Sequence, residues 1–362
     1  MNNILLYGPI SDKVSGGYER MNDNILKSFY SNEEINIIAF PIKKVKLKGV
    51  IKSILYPLIF IMSIIEDSIK LISYRKKYKV NTIHITSLYK IFIIRELIII
   101  LLSKMIGIKV VFDIRAGRFI YYYNHKIYGH FCKVALKSAD KVLVEGITYK
   151  EFLKKEGYDS IYFPNCIING FNYYQNINKK RKNNRVKFIY VGRVVKEKGI
   201  EDAIKLLYEV KERFNIQLEF AIIGEVSSEY KEYISRTYNY AEEIIRFEGY
   251  KNLEEIKEYL LNSDFFMFLS TWLGEGHSNS INEVMATGTP IFYYDNGFTR
   301  DVIGNDDFML DINNYEDNIN KISEIIFNKE IRNKEKDRLK ERVLNNFSQK
   351  NLVDILVNVY KI

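Results

Sequence analysis

From Asp264 to Ile291 the chain reads DFFMFLSTWLGEGHSNSINEVMATGTPI. The apolar run DFFMFLS suits a buried strand, the glycine-bearing stretch after it a loop, and NSINEVMA a helix closed by the small-residue turn ATGTP before the next apolar run. Strand, helix and second strand make a βα repeat of a parallel sheet. Glu275 then emerges at the carboxyl edge of that sheet, and Glu283, after seven intervening residues, sits on the following helix. Two carboxylates at one pocket mouth can accept hydrogen bonds from the vicinal hydroxyls of a ribose and a hexose. A surface acid and a helix acid explain each glutamate singly, but not the whole block.

The same rhythm extends in both directions. In the first half, strands are expected at Asn3 to Tyr7, Asn36 to Phe40, Thr82 to Thr86, Lys109 to Ile114, Lys141 to Val144 and Ser160 to Phe163. In the second half they are expected at Lys187 to Val191, Leu218 to Ile223, Ile245 to Phe247, Asp264 to Leu269, Pro290 to Tyr293 and Phe308 to Leu310. Each set suffices for its own doubly wound parallel sheet, so an α/β chain of two domains is expected. The stretch NYYQNINKKRKNNR has almost nothing to bury and reads as the linker. The resulting division is 1–172, a linker at 173–185, 186–340, and a C-terminal helix at 341–362 that packs back on the body or crosses to the first domain.

Composition narrows the classes. With 47% hydrophobic and 27% charged residues and only 5 Pro, the chain of 362 residues is globular rather than disordered or collagenous. Residues 1–172 hold 26 Lys and Arg against 14 Asp and Glu, so the whole basic excess lies there. Cys132 and Cys166 have no CxxC spacing and no His or Asp cluster, which points to a reducing compartment and away from a disulfide or zinc framework. The opening residues lack a signal-peptide pattern, and the longest apolar run, Ser53 to Ile65, has 13 residues, short of a membrane span.

Two loops could hold an anion. Gly16 and Gly17 open a helix after the first strand, where backbone N–H groups can approach a phosphate; a tight turn explains them equally. In the second half, Gly192 ends a strand and is followed by Arg193, Lys198 and Gly199. Two cations at the mouth of a parallel sheet suit a diphosphate. Neither a GxGxxG fingerprint nor a Walker A loop is present, so a nicotinamide cofactor is disfavoured.

Taken together, VGRVVKEKGIEDAI, the block from Glu275 to Glu283, SGGYERM and the FPN at Phe163 to Asn165 resemble the retaining glycosyltransferases of family 4. The resemblance implies a GT-B fold, two Rossmann-like domains facing a cleft, with an acceptor-binding first domain and a nucleotide-sugar-binding second one. It implies that Arg193 and Lys198 hold the donor diphosphate, that Glu283 holds the ribose, and that Glu275 and Gly276 meet the donor sugar. His277, Ser278, Asn279 and Ser280 would line the sugar pocket, Gly192 the donor loop, and Gly17 the diphosphate or acceptor. Arg193, Lys198 and Glu275 are the expected catalytic set, with no metal and no other cofactor.

The chain departs from the family pattern in two places. His277 and Ser278 stand where many members have Phe-Pro. Asp113 and Arg115 stand where a histidine is usual, with His84 and Thr86 on the neighbouring strand. Gly16, Asp113, Arg115 and Thr86 are the acceptor-side candidates; for Asp113 and Arg115 a buried ion pair is the alternative.

The activity so implied is transfer of a sugar from a nucleotide diphosphate sugar, a UDP-sugar by preference, to a cell-surface glycan or a lipid-linked acceptor. The location implied is the cytoplasm or the inner face of the plasma membrane. A GT-B protein that binds nucleotide sugar or a partner without turnover is the second reading. The greasy stretch after Lys52, with basic flanks, suits an anionic membrane surface or an ordinary core helix. No nucleic-acid-binding signature accompanies the basic residues.

Overall fold

The computed structural model describes residues 2–11, 16–42, 50–88, 90–115, 117–167, 185–272 and 274–361. The expected linker, apart from Arg185, lies outside them, as do Lys43, Lys44, Lys46 and Lys48.

Contacts divide the chain into two units, Met1–Ile168 with Gln349–Ile362, and Asn169–Ser348. In the first, β1 (Asn2–Gly8), β2 (Ile35–Pro41), β3 (Thr82–Ser87), β4 (Lys109–Ile114), β5 (Lys141–Val144) and β6 (Ile161–Tyr162) form one parallel sheet. Its order is β2-β1-β3-β4-β5-β6. The strands are near-continuous apolar runs because helices cover both faces of such a sheet. The crossovers carry α1 (Gly17–Ser28), α2 (Val50–Tyr78), α3 (Phe92–Met105), α4 (Phe119–Tyr123), α5 (Tyr128–Ser138) and α6 (Ile147–Lys155).

The second unit repeats the plan with β7 (Val186–Val191), β8 (Leu218–Ile223), β9 (Ile245–Gly249), β10 (Phe265–Phe268) and β11 (Ile291–Tyr293), in the order β11-β10-β7-β8-β9. Its helices are α7 (Ile200–Phe214), α8 (Ser228–Thr237), α9 (Leu253–Leu261), α10 (Asn279–Thr287), α11 (Thr299–Ile303), α12 (Tyr315–Phe327) and α13 (Lys329–Asn346). The last helix, α14 (Gln349–Tyr360), belongs to the first unit. There Leu352, Leu356, Val359 and Tyr360 join the core of Ile4, Leu6, Met21 and Val111. Each such buried aliphatic side chain contributes about 1.5–3 kcal/mol.

Two expectations change. Phe308 to Leu310 is not a strand: Asp306–Phe308 is a 3-10 turn, and only an isolated bridge, Tyr293 to Met309, extends the sheet edge. Residue 340 is not a break, because α13 continues through it to Asn346. Pro57 lies inside α2, whose later turns bury one face.

Both sheets have a switch point, where the chain first adds strands on one side of the founding strand and then crosses to the other. It lies between β1 and β3 in the first unit and between β7 and β10 in the second. Open parallel sheets bind ligands beyond the carboxyl ends of the strands at such points.

Candidate active site

The loops flanking the second switch point are the two the sequence singled out. Gly199, between a 3-10 turn at Lys196–Lys198 and α7, has φ +72°, and a Cβ there would lie 2.1 Å from the Leu269 carbonyl oxygen. Glycine therefore serves two needs at once, a left-handed backbone and close approach to the end of β10. The contact is laced further by the Thr271 N–H, which donates to the Glu197 carbonyl at 3.0 Å.

That approach brings Lys198 and Glu275 together. Lys198 is 6% exposed, and its ammonium donates to Glu275 Oε2, which also accepts from the Ser270 hydroxyl at 3.2 Å. Burial pulls the Lys198 pKa down, and Glu275 only partly offsets this, so the group stays below the ordinary lysine range. Arg193, just past Gly192, is exposed. Its guanidinium carbon lies 4.8 Å from the Trp272 ring centroid, and Lys198 Nζ lies 4.9 Å from the same ring. Each such contact is worth about 0.5–1 kcal/mol at a surface. Ser270 and Trp272 were absent from the sequence-derived set; as the only Trp, three residues before Glu275, Trp272 was the available signal.

After Glu275 the chain passes Gly276 and His277 and enters α10. His277 is buried, with Nε2 2.9 Å from Asn282 Oδ1 and its ring edge-on to Phe347 at 5.1 Å. These contacts tie the ring to α10 and to Phe347. The Ser278 and Ser280 hydroxyls lie 2.9 Å apart, and no side chain caps the first turn, which Asn279 and Ser280 begin. Glu283 lies in the second turn and is 5% exposed. The positive end of α10 thus opens at the same sheet edge as the two cations. Among the described residues no group of three or more His, Cys, Asp or Glu is placed to hold a metal.

The acceptor-side candidates of the first unit are placed differently. Thr86 and Asp113 are register partners at the carboxyl ends of β3 and β4. Thr86 is fully buried and donates to Asn22 Oδ1 at 2.7 Å. Arg115 Nε donates to Asp113 Oδ2 at 2.7 Å, and its other nitrogens donate to Asn165 Oδ1 at 2.8 Å and the Phe163 carbonyl at 3.0 Å. The FPN segment is thus the seat of a buried ion pair. Burial pushes the Asp113 carboxyl up, but Arg115 and His84 outweigh it and hold it below the usual carboxylate range. His84 Nε2 lies 3.2 Å from Asp113 Oδ2, and Nδ1 lies 2.7 Å from the Tyr360 hydroxyl. With Nε2–H donating to the carboxylate, Nδ1 accepts from the Tyr360 hydroxyl, an assignment that sets the tautomer and ties α14 to the sheet. Of the first unit's candidates, Gly16 and Gly17 alone are exposed, and a Cβ at Gly16 would meet nothing within 4 Å.

With this geometry in view, residues 174–342 match the family described as glycosyl transferases group 1. No curated protein sequence matches significantly. Among solved structures, a glycosyltransferase from Rickettsia africae is similar over 99% of this chain and 98% of its own, at 17% identity and TM-score 0.74. HepE from Anabaena, in complex with UDP, is similar over 100% of both chains at 14% identity and TM-score 0.74. Sucrose-phosphate synthase from Thermosynechococcus elongatus is similar over 100% of this chain and 98% of its own, at 13% identity and TM-score 0.75. At such identities the likeness is one of fold, so the chain has the GT-B fold over its full length, and its residues 174–342 carry the sequence pattern of group 1 glycosyl transferases.

Proposed function

We propose that the protein is a retaining, metal-independent glycosyltransferase of the family 4 type. It moves a sugar from a nucleotide diphosphate sugar, a UDP-sugar by preference, to a hydroxyl of a cell-surface glycan or lipid-linked acceptor, such as lipopolysaccharide or capsule. It works at the inner face of an anionic membrane. The carrying observation is the convergence of Arg193, Lys198 and Glu275 at the switch point of the second sheet, beside the start of α10 with Glu283. The UDP complex of the similar Anabaena structure supports the choice of nucleotide.

The chemistry follows from these groups. As the bond from the sugar to the diphosphate breaks, negative charge grows on the leaving group, and Arg193 and Lys198 meet it. The diphosphate competes with Glu275 for Lys198, which frees the carboxylate to accept from sugar hydroxyls. Glu283 accepts from the ribose. The leaving phosphate takes the acceptor's proton, so no side-chain base is required. UDP release that depends on donor and acceptor and persists in EDTA is the test. Activity undiminished in the double variant Lys198→Ala, Glu283→Gln sinks this site assignment.

A second reading, a nucleotide-sugar-binding protein without turnover, is favoured by one observation: Asp113, Arg115, His84 and Thr86 are all committed to internal partners. UDP binding with no turnover across a broad panel of donors and acceptors would establish it.

A further inference from the structure

We infer that the outer face of α2 is a docking surface for an anionic lipid bilayer; this rests on the membrane reading given above and assigns it to one helix. The inner face of α2 is accounted for. Phe60, Ile64 and Leu71 are buried, and Asp67, 2% exposed, accepts from the Tyr7 hydroxyl at 2.7 Å and from Arg95 Nε at 2.9 Å. The opposite face is also apolar and is exposed among the described residues. Leu55, Leu58, Met62, Ile65, Ile69 and Ile72 follow spacings of three and four residues, and their exposure runs from 39% to 64%. At 1.5 Å per residue this is one row about 26 Å long. A continuous exposed apolar row of that length marks an interaction surface rather than ordinary solvent-facing helix.

The neighbouring helix also leaves apolar side chains exposed. α3 packs beside α2 with Phe92 edge-on to Phe60 at 6.0 Å, and it leaves Ile98, Leu101 and Met105 exposed at the same spacing, Met105 at 83%. No helix among the described residues is long and apolar enough to cross a membrane. A helix of this kind lies along the interface, with its apolar row among the acyl chains.

Charge selects the occupant. Beyond Ile72 the row continues into Lys76, with Lys77 and Lys79 beside it, all exposed and none paired with an acid among the described residues. The two acids of the helix are occupied, Glu66 by Lys70 at 2.7 Å and Asp67 in the interior. An apolar row ending in unpaired cations, with no unpaired acid, complements an anionic lipid surface. A second copy aligned in parallel would set Lys76 against Lys76, with no acid nearby to relieve it.

The test is co-sedimentation of the full chain with vesicles of phosphatidylcholine alone and of phosphatidylcholine with an equal share of phosphatidylglycerol. The wild type is expected to bind the anionic vesicles, more weakly as salt rises, and to bind the neutral ones poorly. Ile65→Glu with Ile69→Glu should lower that binding at least tenfold, and Lys76→Glu with Lys77→Glu should abolish the preference for anionic lipid. UDP affinity, measured alongside, should stay unchanged in both variants and shows that they fold. Wild-type binding that both variants retain overturns the assignment to α2 and leaves the membrane reading standing. Failure of the wild type to bind either vesicle overturns both. A dimer that Ile65→Glu dissociates, with no vesicle binding, makes a second copy the occupant and overturns the inference.

Discussion

At the carboxyl edge of the first sheet, Asp113, Arg115 and His84 are sealed among one another, Tyr360 and the FPN segment; at that of the second, Arg193 is exposed and Lys198 is held by a single glutamate on a loop. The first unit spends further charges in the same way. Arg95 is locked to Asp67, and Glu96, raised to about 7 by burial, accepts from the Leu88 N–H at 2.6 Å and the Ser87 hydroxyl at 3.1 Å. Two sheets of one plan thus put similar residue types to different uses. A buried network in which Asp113 Oδ2 takes both Arg115 and His84, leaving only Oδ1 without a hydrogen-bond partner, fixes one arrangement of the chain, while a lysine held by one glutamate on a loop can exchange that partner for a ligand.

Substitutions on the two sides should therefore read out in different assays. The largest effect is expected for Arg115→Met, which leaves Asp113 buried without its main cation and should cost about 3–5 kcal/mol of stability in chemical denaturation. Nucleotide affinity of the folded fraction should be unchanged. A variant of normal stability that has lost nucleotide binding would erase the contrast. Lys198→Ala is the converse case: turnover should fall by about 10²–10³, the range seen when one preorganised charge-stabilising donor is removed, with a smaller loss of stability than in Arg115→Met because Glu275 lies on a loop and keeps the Ser270 hydroxyl.

Smaller effects follow. Tyr360→Phe removes the hydroxyl on His84 Nδ1 and leaves that nitrogen buried and unpaired, at a cost of about 1–3 kcal/mol in urea midpoint analysis and none in nucleotide affinity. Because Trp272 is the only Trp, the intrinsic fluorescence of the chain reports directly on the two cations. UDP should change it, and Trp272→Ala should weaken UDP binding by about fivefold to tenfold, as for roughly 1 kcal/mol of lost cation–π contact. An unresponsive signal at saturating UDP would place the nucleotide elsewhere. The smallest effect is one of pH. Since burial lowers the Lys198 pKa, its charge is lost before that of an ordinary lysine as pH rises, and UDP affinity should decline on the alkaline side. Lys198→Arg, whose guanidinium stays charged, should flatten that decline.

The fold was legible because its signal is local: apolar runs of strand length alternate with helical segments, and eleven of the twelve expected strands stand within two residues of their expected ends. Phe308 to Leu310 misled because a short apolar run also serves a single turn at a sheet edge, which periodicity cannot separate from a strand. The places of Lys198, Glu275 and Glu283 in the chain were legible too, since each sits at a fixed offset from a strand end. What the sequence hid was pairing at a distance. That Arg115 reaches Asn165, that His84 meets Tyr360 276 positions away, and that Trp272 spans both cations depend on side-chain reach in three dimensions. The same limit applies to α2, where an apolar helix reads alike whether one face or two are covered.

Calorimetric titration of UDP in EDTA into the wild type, Lys198→Ala and Arg115→Met tests most directly whether the edge of the second sheet holds the donor. The account predicts saturable binding to the wild type, at least a tenfold loss in Lys198→Ala, and undiminished affinity in folded Arg115→Met. Equal affinity in the wild type and Lys198→Ala, or no binding to the wild type, would contradict it.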